Sequence, residues 1–265
     1  IALSRKRAIA TEVLGELEEM AGLGTVCDIM ELKDENRAVV KNALNRMDSS
    51  NNKGLKALIS VNGLKSPISA YHLGFVIGPC LNATGRLDSA HLSVELLRSR
   101  SYEDAVVKAT ELKRLNDMRK TMTEQGIDSA LKVIDTEGLK EDKVLIVYVP
   151  DIHESLAGII AGRIKEKYYR PTIVLTDSEE GLKGSGRSIE GYNMFEELNK
   201  FRNLFTKFGG HAMAAGLSLV KNNLSVLRDK LNAGCLLQSE DFEEKIRFDA
   251  EIPLSYVTER LVENL

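Results

Sequence analysis

Residues 207–216, KFGGHAMAAG, put two adjacent glycines in front of His211, one of only four histidines in the chain. Gly209 and Gly210 permit positive φ or a close approach of backbone to a ligand, and an imidazole at their edge can meet an anion or carry a proton. The same spacing serves a seam of small residues packing a turn, so the stretch alone leaves both readings open. GSGRS, at 184–188, offers two glycines, the Ser185 hydroxyl and the planar fork of Arg187, a set that suits a phosphate. A β-bulge at a sheet edge explains it nearly as well. In GPCLNATGRLD, Asn82 and Arg86 fall in what reads as a glycine-broken turn, where Arg86 can take a phosphate bidentately or pair with Asp88. Asp28 follows GTVC, read as the end of a buried strand. Carboxylates at strand ends of α/β folds commonly hold Mg²⁺ or Mn²⁺, but one Asp cannot hold a metal, and a cap or surface acid is the alternative. His153 opens HESLAGI and reads as a helix cap.

The elements that must position these residues follow from periodicity. Residues 4–20 carry apolar residues at helical spacing, and GLGTVCDIM reads as a short strand. ENRAVVKNALNRM and KGLKALISVNG are amphipathic helices, the second closed by Asn62-Gly63. Gly78-Pro79 and Gly85 then break the chain before a helix resumes near 89. From 101 to about 134 a single polar helix is predicted, started by SYED, with Leu112, Leu115, Met118 and Met122 as a narrow apolar seam. At 1.5 Å per residue it would reach about 50 Å. A helical linker between two domains is the favoured reading, although Gly126 offers a place to break. KVLIVYVP and PTIVLTD are continuous apolar strands around a helix, a βαβ unit. GLKGSGRSI, the helix NMFEELNKF, the strand AAGLSLV and the helix NLSVLRDKLNAG complete an α/β domain. The tail alternates like a strand, turns at Pro253 and stops in a helix.

The bulk numbers narrow the class. Hydrophobic residues make up 43% of 265, enough for one large core or two modest ones. A net charge of −3 provides no global attraction to a polyanion, so such a substrate must be held by local clusters. Three widely spaced cysteines with no CxxC pair point to free thiols in a reducing, cytoplasmic setting. No apolar run approaches a membrane span, and no signal-peptide core precedes the first helix. The chain opens at Ile1 within a helical pattern, which reads as a fragment of a longer protein.

In order along the chain, GLGTVCDIMELKDENR, IGPCLNATGRL, a long charged helix, HESLAGIIAGRI with YYRPTIVL, GSGRS and FGGHAMAAGLSL resemble the RecJ family of single-strand-specific exonucleases. That family lies within the DHH superfamily of phosphoesterases, and the likeness runs from about Leu17 to Leu265. It implies an α/β fold: part of a DHH domain over 1–100, a connecting long helix over 101–136, a DHHA1 domain with a mixed sheet over 137–240, and the start of a truncated OB fold over 241–265. The implied activity is 5′→3′ phosphodiester hydrolysis on single-stranded DNA in repair and recombination, with two Mn²⁺ or Mg²⁺ ions. The resemblance makes Asp28 a metal ligand and catalytic residue, and His211 a catalytic residue reaching across an interdomain cleft to the scissile phosphate. It makes Asn82, Arg86, Ser185, Arg187, Gly209 and Gly210 substrate-binding. Single-stranded DNA with a 5′ phosphate is the implied partner, with a single-strand-binding protein and a helicase beside it, and the protein a monomer. The family's Asp-x-Asp and Asp-His-His motifs do not occur in the sequence, so most metal ligands lie outside it and the chain alone is expected to be inactive. Two other readings remain: a DHH-family oligoribonuclease or phosphatase acting on short nucleotides, and a non-catalytic nucleic-acid-binding module derived from a DHH protein.

Overall fold

The computed structural model describes the backbone of residues 11–87, 90–246 and 248–264, with all their side chains except those of 11, 12, 84, 86, 87, 263 and 264. The chain divides into two units, Ile1–Asp128 and Ser129–Leu265. The boundary falls inside one helix.

Among the described residues the first unit has helices and no strand: α1 Thr11–Cys27, α2 Asp34–Met47, α3 Lys53–Val61, α4 Ala70–His72, α5 Gly78–Leu87 and α6 His91–Leu97, with the first part of α7, Tyr102–Thr136. The run GLGTVC, expected as a strand, is instead the last turn and a half of α1. Leu23 is buried there against Ala43 and Met47 of α2. A short, largely apolar run cannot by itself distinguish a buried strand from a buried helix. The helix ends in a Schellman motif, with Ile29 N–H donating to Val26 O and Met30 N–H to Thr25 O, both at 3.1 Å. Ile29 holds the left-handed position at φ 55°, where glycine is the usual occupant.

The expected break at Gly78-Pro79 is also absent. α4, a π-helical turn over Leu73–Ile77, and α5 run on continuously. A proline inside a helix removes one N–H and crowds the carbonyl four residues back. Here the widened π turn directly precedes Pro79 and absorbs that crowding. Gly78 has a packing reason as well, since a Cβ on it would lie 2.5 Å from Cys27 Sγ. α1 and α5 therefore touch closely. Asn82 and Arg86 sit on a helix and not in a broken turn. Asp88, Ser89 and the Arg86 side chain lie outside the described residues.

α7 begins where SYED predicts, with Ser101 Oγ accepting from Asp104 N–H at 3.1 Å. Its 35 residues continue without interruption through Gly126. Ala105, Ala109, Leu112 and Leu115 are buried while Met118 is 43% exposed, so the seam toward the first unit is made as much by alanines as by the expected Met and Leu.

The second unit is a five-stranded mixed sheet in the order β1-β2-β3-β5-β4: β1 Leu145–Tyr148, β2 Thr172–Ser178, β3 Gly181–Arg187, β4 Phe205–His211 and β5 Ala214–Leu219. β1 and β2 are parallel around α8, Ala157–Tyr168, as the βαβ pattern requires, and the remaining pairs are antiparallel. α9, Met194–Asn199, and α10, Leu224–Gly234, follow as predicted. β4 is not evident from the sequence: TKFGGH carries too little β-branched character to announce a strand and is held as one by β5. A register shift between Phe205 and Lys207 turns both Phe205 and Phe208 to the core side, where their rings stack at 5.4 Å. The main core of this unit, including Ile146, Ile173, Leu175, Leu217, Leu219 and Leu231, lies on that side. In the tail, a 3₁₀ turn at Leu254–Tyr256 and α11, Glu259–Asn264, are present, but the expected alternating strand does not form among the described residues.

Candidate functional site

The register of the second unit's sheet decides which side chains meet. Directly paired residues share a face, and residues two apart on one strand return to it. β3 pairs Arg187 with Ala214, Ser185 with Gly216 and Lys183 with Ser218 of β5. β5 in turn pairs Ala214 with His211, Gly216 with Gly209 and Ser218 with Lys207 of β4. Three rows follow on one face: Arg187, Ala214, His211; Ser185, Gly216, Gly209; Lys183, Ser218, Lys207. The opposite face carries Leu182, Ala215, Leu217 and Leu219 and is buried in the core. Four sequence-predicted residues, Ser185, Arg187, Gly209 and His211, thus lie on one face whose middle strand is Ala, Gly and Ser; Gly209 and His211 are exposed on it, while Ser185 and Arg187 are half-buried.

Each is held by a local device. Arg187 Nη1 donates to Ser185 Oγ at 2.7 Å and to Gly186 O at 2.8 Å, while Ser185 Oγ donates to Ala215 O at 3.3 Å. α8 covers β2 and β3 from this face, and its Gly158 approaches the Arg187 guanidinium. His211 ends β4, and Ala212 and Met213 make the hairpin turn to β5. The turn is anchored from outside. Ser188 N–H donates to Met213 O at 2.9 Å and Met194 N–H to Ala212 O at 2.8 Å, which fixes the hairpin tip to the end of β3 and the start of α9. His211 Nδ1 accepts from Met213 N–H at 3.3 Å. A neutral ring in that arrangement carries its proton on Nε2, leaving an exposed donor. Gly209 has nothing within 4 Å of a notional Cβ, so it leaves the face bare. Gly210 points the other way, where a Cβ would meet Ala214 O at 2.4 Å and Ala215 Cα at 2.6 Å. Its glycine is demanded by the hairpin, so Gly210 belongs to packing and not to the open face.

Lys183 and Lys207 were not singled out in the sequence. Their ion pairs, with Glu154 at 2.7 Å and Glu180 at 3.3 Å, are exposed and therefore weak. The period of two along KGSGR was the available signal for Lys183. Lys207 was hidden because β4 itself was.

The first unit holds the other predicted residues. Asp28 is exposed one residue past α1, its N–H donating to Gly24 O at 2.9 Å. Asn82 is exposed on α5 and lines a groove with Gly24, Cys27, Gly78 and Leu81, so it lies near the end of α1 that carries Asp28. Among the described residues no group of three His, Cys, Asp or Glu could hold a metal ion, and Asp28 does not form a metal centre here. His153 is a cap, as read from the sequence: its Nδ1 accepts from Ser155 N–H at 3.3 Å. All three cysteines are free thiols, and burial raises the pKa of each.

The DHHA1 domain family matches residues 141–235, which takes in β1 to β5, α8, α9 and α10. The single-stranded-DNA-specific exonuclease RecJ of Bacillus subtilis is 36% identical over 91% of this chain and 31% of its own length. That of Escherichia coli is 39% identical over 85% of this chain and 41% of its own length. The crystal structure of Thermus thermophilus RecJ in complex with Mg²⁺ superposes with a TM-score of 0.77 at 28% identity, covering 88% of this chain and 36% of that one. The chain therefore spans less than half the length of each of these three relatives.

Proposed function

We propose that this chain, a RecJ-like segment with a DHHA1 domain at 141–235, serves a single-stranded-DNA-specific exonuclease that hydrolyses phosphodiester bonds from the 5′ end. The observation that carries the reading is the shared sheet face. Ser185 and Arg187 occupy one strand of it, His211 stands in the same cross-strand row as Arg187, and Gly209 and Gly216 leave the ground between them without side chains. A phosphate needs a fixed charged fork and a hydroxyl, which Arg187 and Ser185 form together. The chain of a single strand needs a backbone-wide trough, which Gly209 and Gly216 leave open. The His211 Nε2–H donates to a neighbouring phosphate oxygen, adding a donor where charge develops during hydrolysis. Gly210 supports the turn that carries His211.

Relatives have been crystallised with Mg²⁺ and with manganese, and we take a divalent ion of this kind to serve the whole protein, with Asp28 as the one carboxylate this chain contributes. One carboxylate does not build a site, so no step through a metal is drawn from these residues. Free thiols, two of them buried, support a reducing, cytoplasmic setting, and no described helix is long and apolar enough to cross a membrane.

The test uses the full-length protein on 5′-phosphorylated single-stranded DNA with Mn²⁺. His211→Ala should lower kcat about 10²-fold or more, as loss of a transition-state donor does. Arg187→Ala should lower kcat/KM about 10- to 100-fold, the scale of one charge-assisted hydrogen bond. Near wild-type rates in both variants would remove the site assignment. A protein that degrades only di- to tetranucleotides would select the oligoribonuclease reading, and one that binds single strands without cutting would select the binding module.

A further inference from the structure

We infer that Gly158 is a positioning residue for Arg187, fixing where the guanidinium can hold a phosphate and so setting the preference for phosphorylated ends. The inference rests on the phosphate-binding reading of the β3 face and adds to it a residue on a different element. Gly158 is the second residue of α8, and glycine is a poor helix former, so the helix itself gives no reason for it. A Cβ at this position would lie 2.7 Å from Arg187 Nη2, 3.1 Å from Ser185 Oγ and 3.4 Å from Arg187 Cζ. All three are side-chain atoms of the same fork-and-hydroxyl pair. No backbone atom is as near, so the missing methyl serves the placement of Arg187 and not the docking of α8. Gly162, one turn further along, has nothing within 4 Å of such an atom, so α8 is not simply a helix of small residues pressed on the sheet throughout.

On its other side the guanidinium is tied by Nη1 to Ser185 Oγ and Gly186 O, so a methyl at 158 displaces Nη2 while the backbone stays where it is. Small displacements of a fixed donor are costly to recognition that depends on geometry.

The experiment is a double-mutant cycle in the full-length protein, reading the ratio of kcat/KM on 5′-phosphorylated over 5′-hydroxyl single strands. Gly158→Ala is expected to lower that ratio about tenfold without lowering Tm, because alanine suits the helix better than glycine. In an Arg187→Ala background the same change is expected to alter the ratio less than twofold, since the group it displaces is gone. An unchanged ratio in Gly158→Ala, or an equal fall in both backgrounds, overturns the role of Gly158 while leaving the phosphate site standing. A ratio unchanged by Arg187→Ala alone overturns the phosphate reading itself, and this inference with it.

Discussion

At the scale of single residues, the two glycines of FGGH separate into different roles. Gly210 is required by its own hairpin, because the atoms a Cβ would strike, Ala214 O and Ala215 Cα, are backbone and cannot swing aside. Gly210→Ala should therefore destabilise the fold by about 2 kcal/mol, in the range of overpacking, seen as a lowered midpoint in urea unfolding. Gly209 faces open space. Gly209→Ala should leave that midpoint within error yet weaken binding of single-stranded DNA several-fold, because its methyl stands on the bare strip between Ser185 and His211. Equal effects of the two substitutions would contradict the assignment of faces. Adjacent identical residues carry no local signal telling them apart. Only the register, which pairs Gly209 with Gly216 and Gly210 with Ala215, does so, and register is a property of the paired strands and not of either glycine alone. Ser185, Arg187 and His211 were legible as chemistry-bearing types; that they share a face was not, because β4 could not be read.

At the scale of elements, what was legible followed local pattern and what was missed followed tertiary contact. The apolar runs of β1 and β2, the SYED start of α7 and the Asn62-Gly63 stop of α3 all state their structure within a few residues. The strand β4 does not, since its glycines give it little intrinsic preference; nor does α5, where a proline normally ends a helix and here follows a π turn that makes room for it. The end of α1 is ambiguous in sequence for a related reason: its short apolar run fits either period, and the residue that terminates it is Ile29, where glycine would have announced the stop. A β-branched residue at φ 55° costs about 1 kcal/mol relative to glycine. Ile29 is also 90% exposed, so its side chain returns little of that by burial. Ile29→Gly should accordingly stabilise this chain by about 1 kcal/mol, raising Tm by roughly 2–4 °C for a protein of this size. A lower Tm would mean that Ile29 makes contacts which outweigh its backbone strain.

At the scale of the whole molecule, the net charge of −3 decides how a polyanion can be held. There is no long-range field to steer it, so under the proposed function binding would rest on the few cations of the sheet face: Lys183, Arg187 and Lys207, with His211 beside them. Lys183 and Lys207 already pair with Glu154 and Glu180, but at 50% and 75% exposure of the lysine side chains those pairs are worth roughly 0–1 kcal/mol. A phosphate can displace either glutamate at little cost. Three to four phosphate contacts release a matching number of counterions, and for single strands the slope of log K against log salt is about −0.7 per contact. Fluorescence titration of this chain with an oligothymidylate at several salt concentrations should therefore give a slope between about −2 and −3. Lys183→Gln and Lys207→Gln should each make it shallower by about 0.7. A slope near zero would mean that no phosphate is held. One much steeper than −4, unchanged by either lysine substitution, would place the binding surface elsewhere, on a larger set of cations than this face possesses.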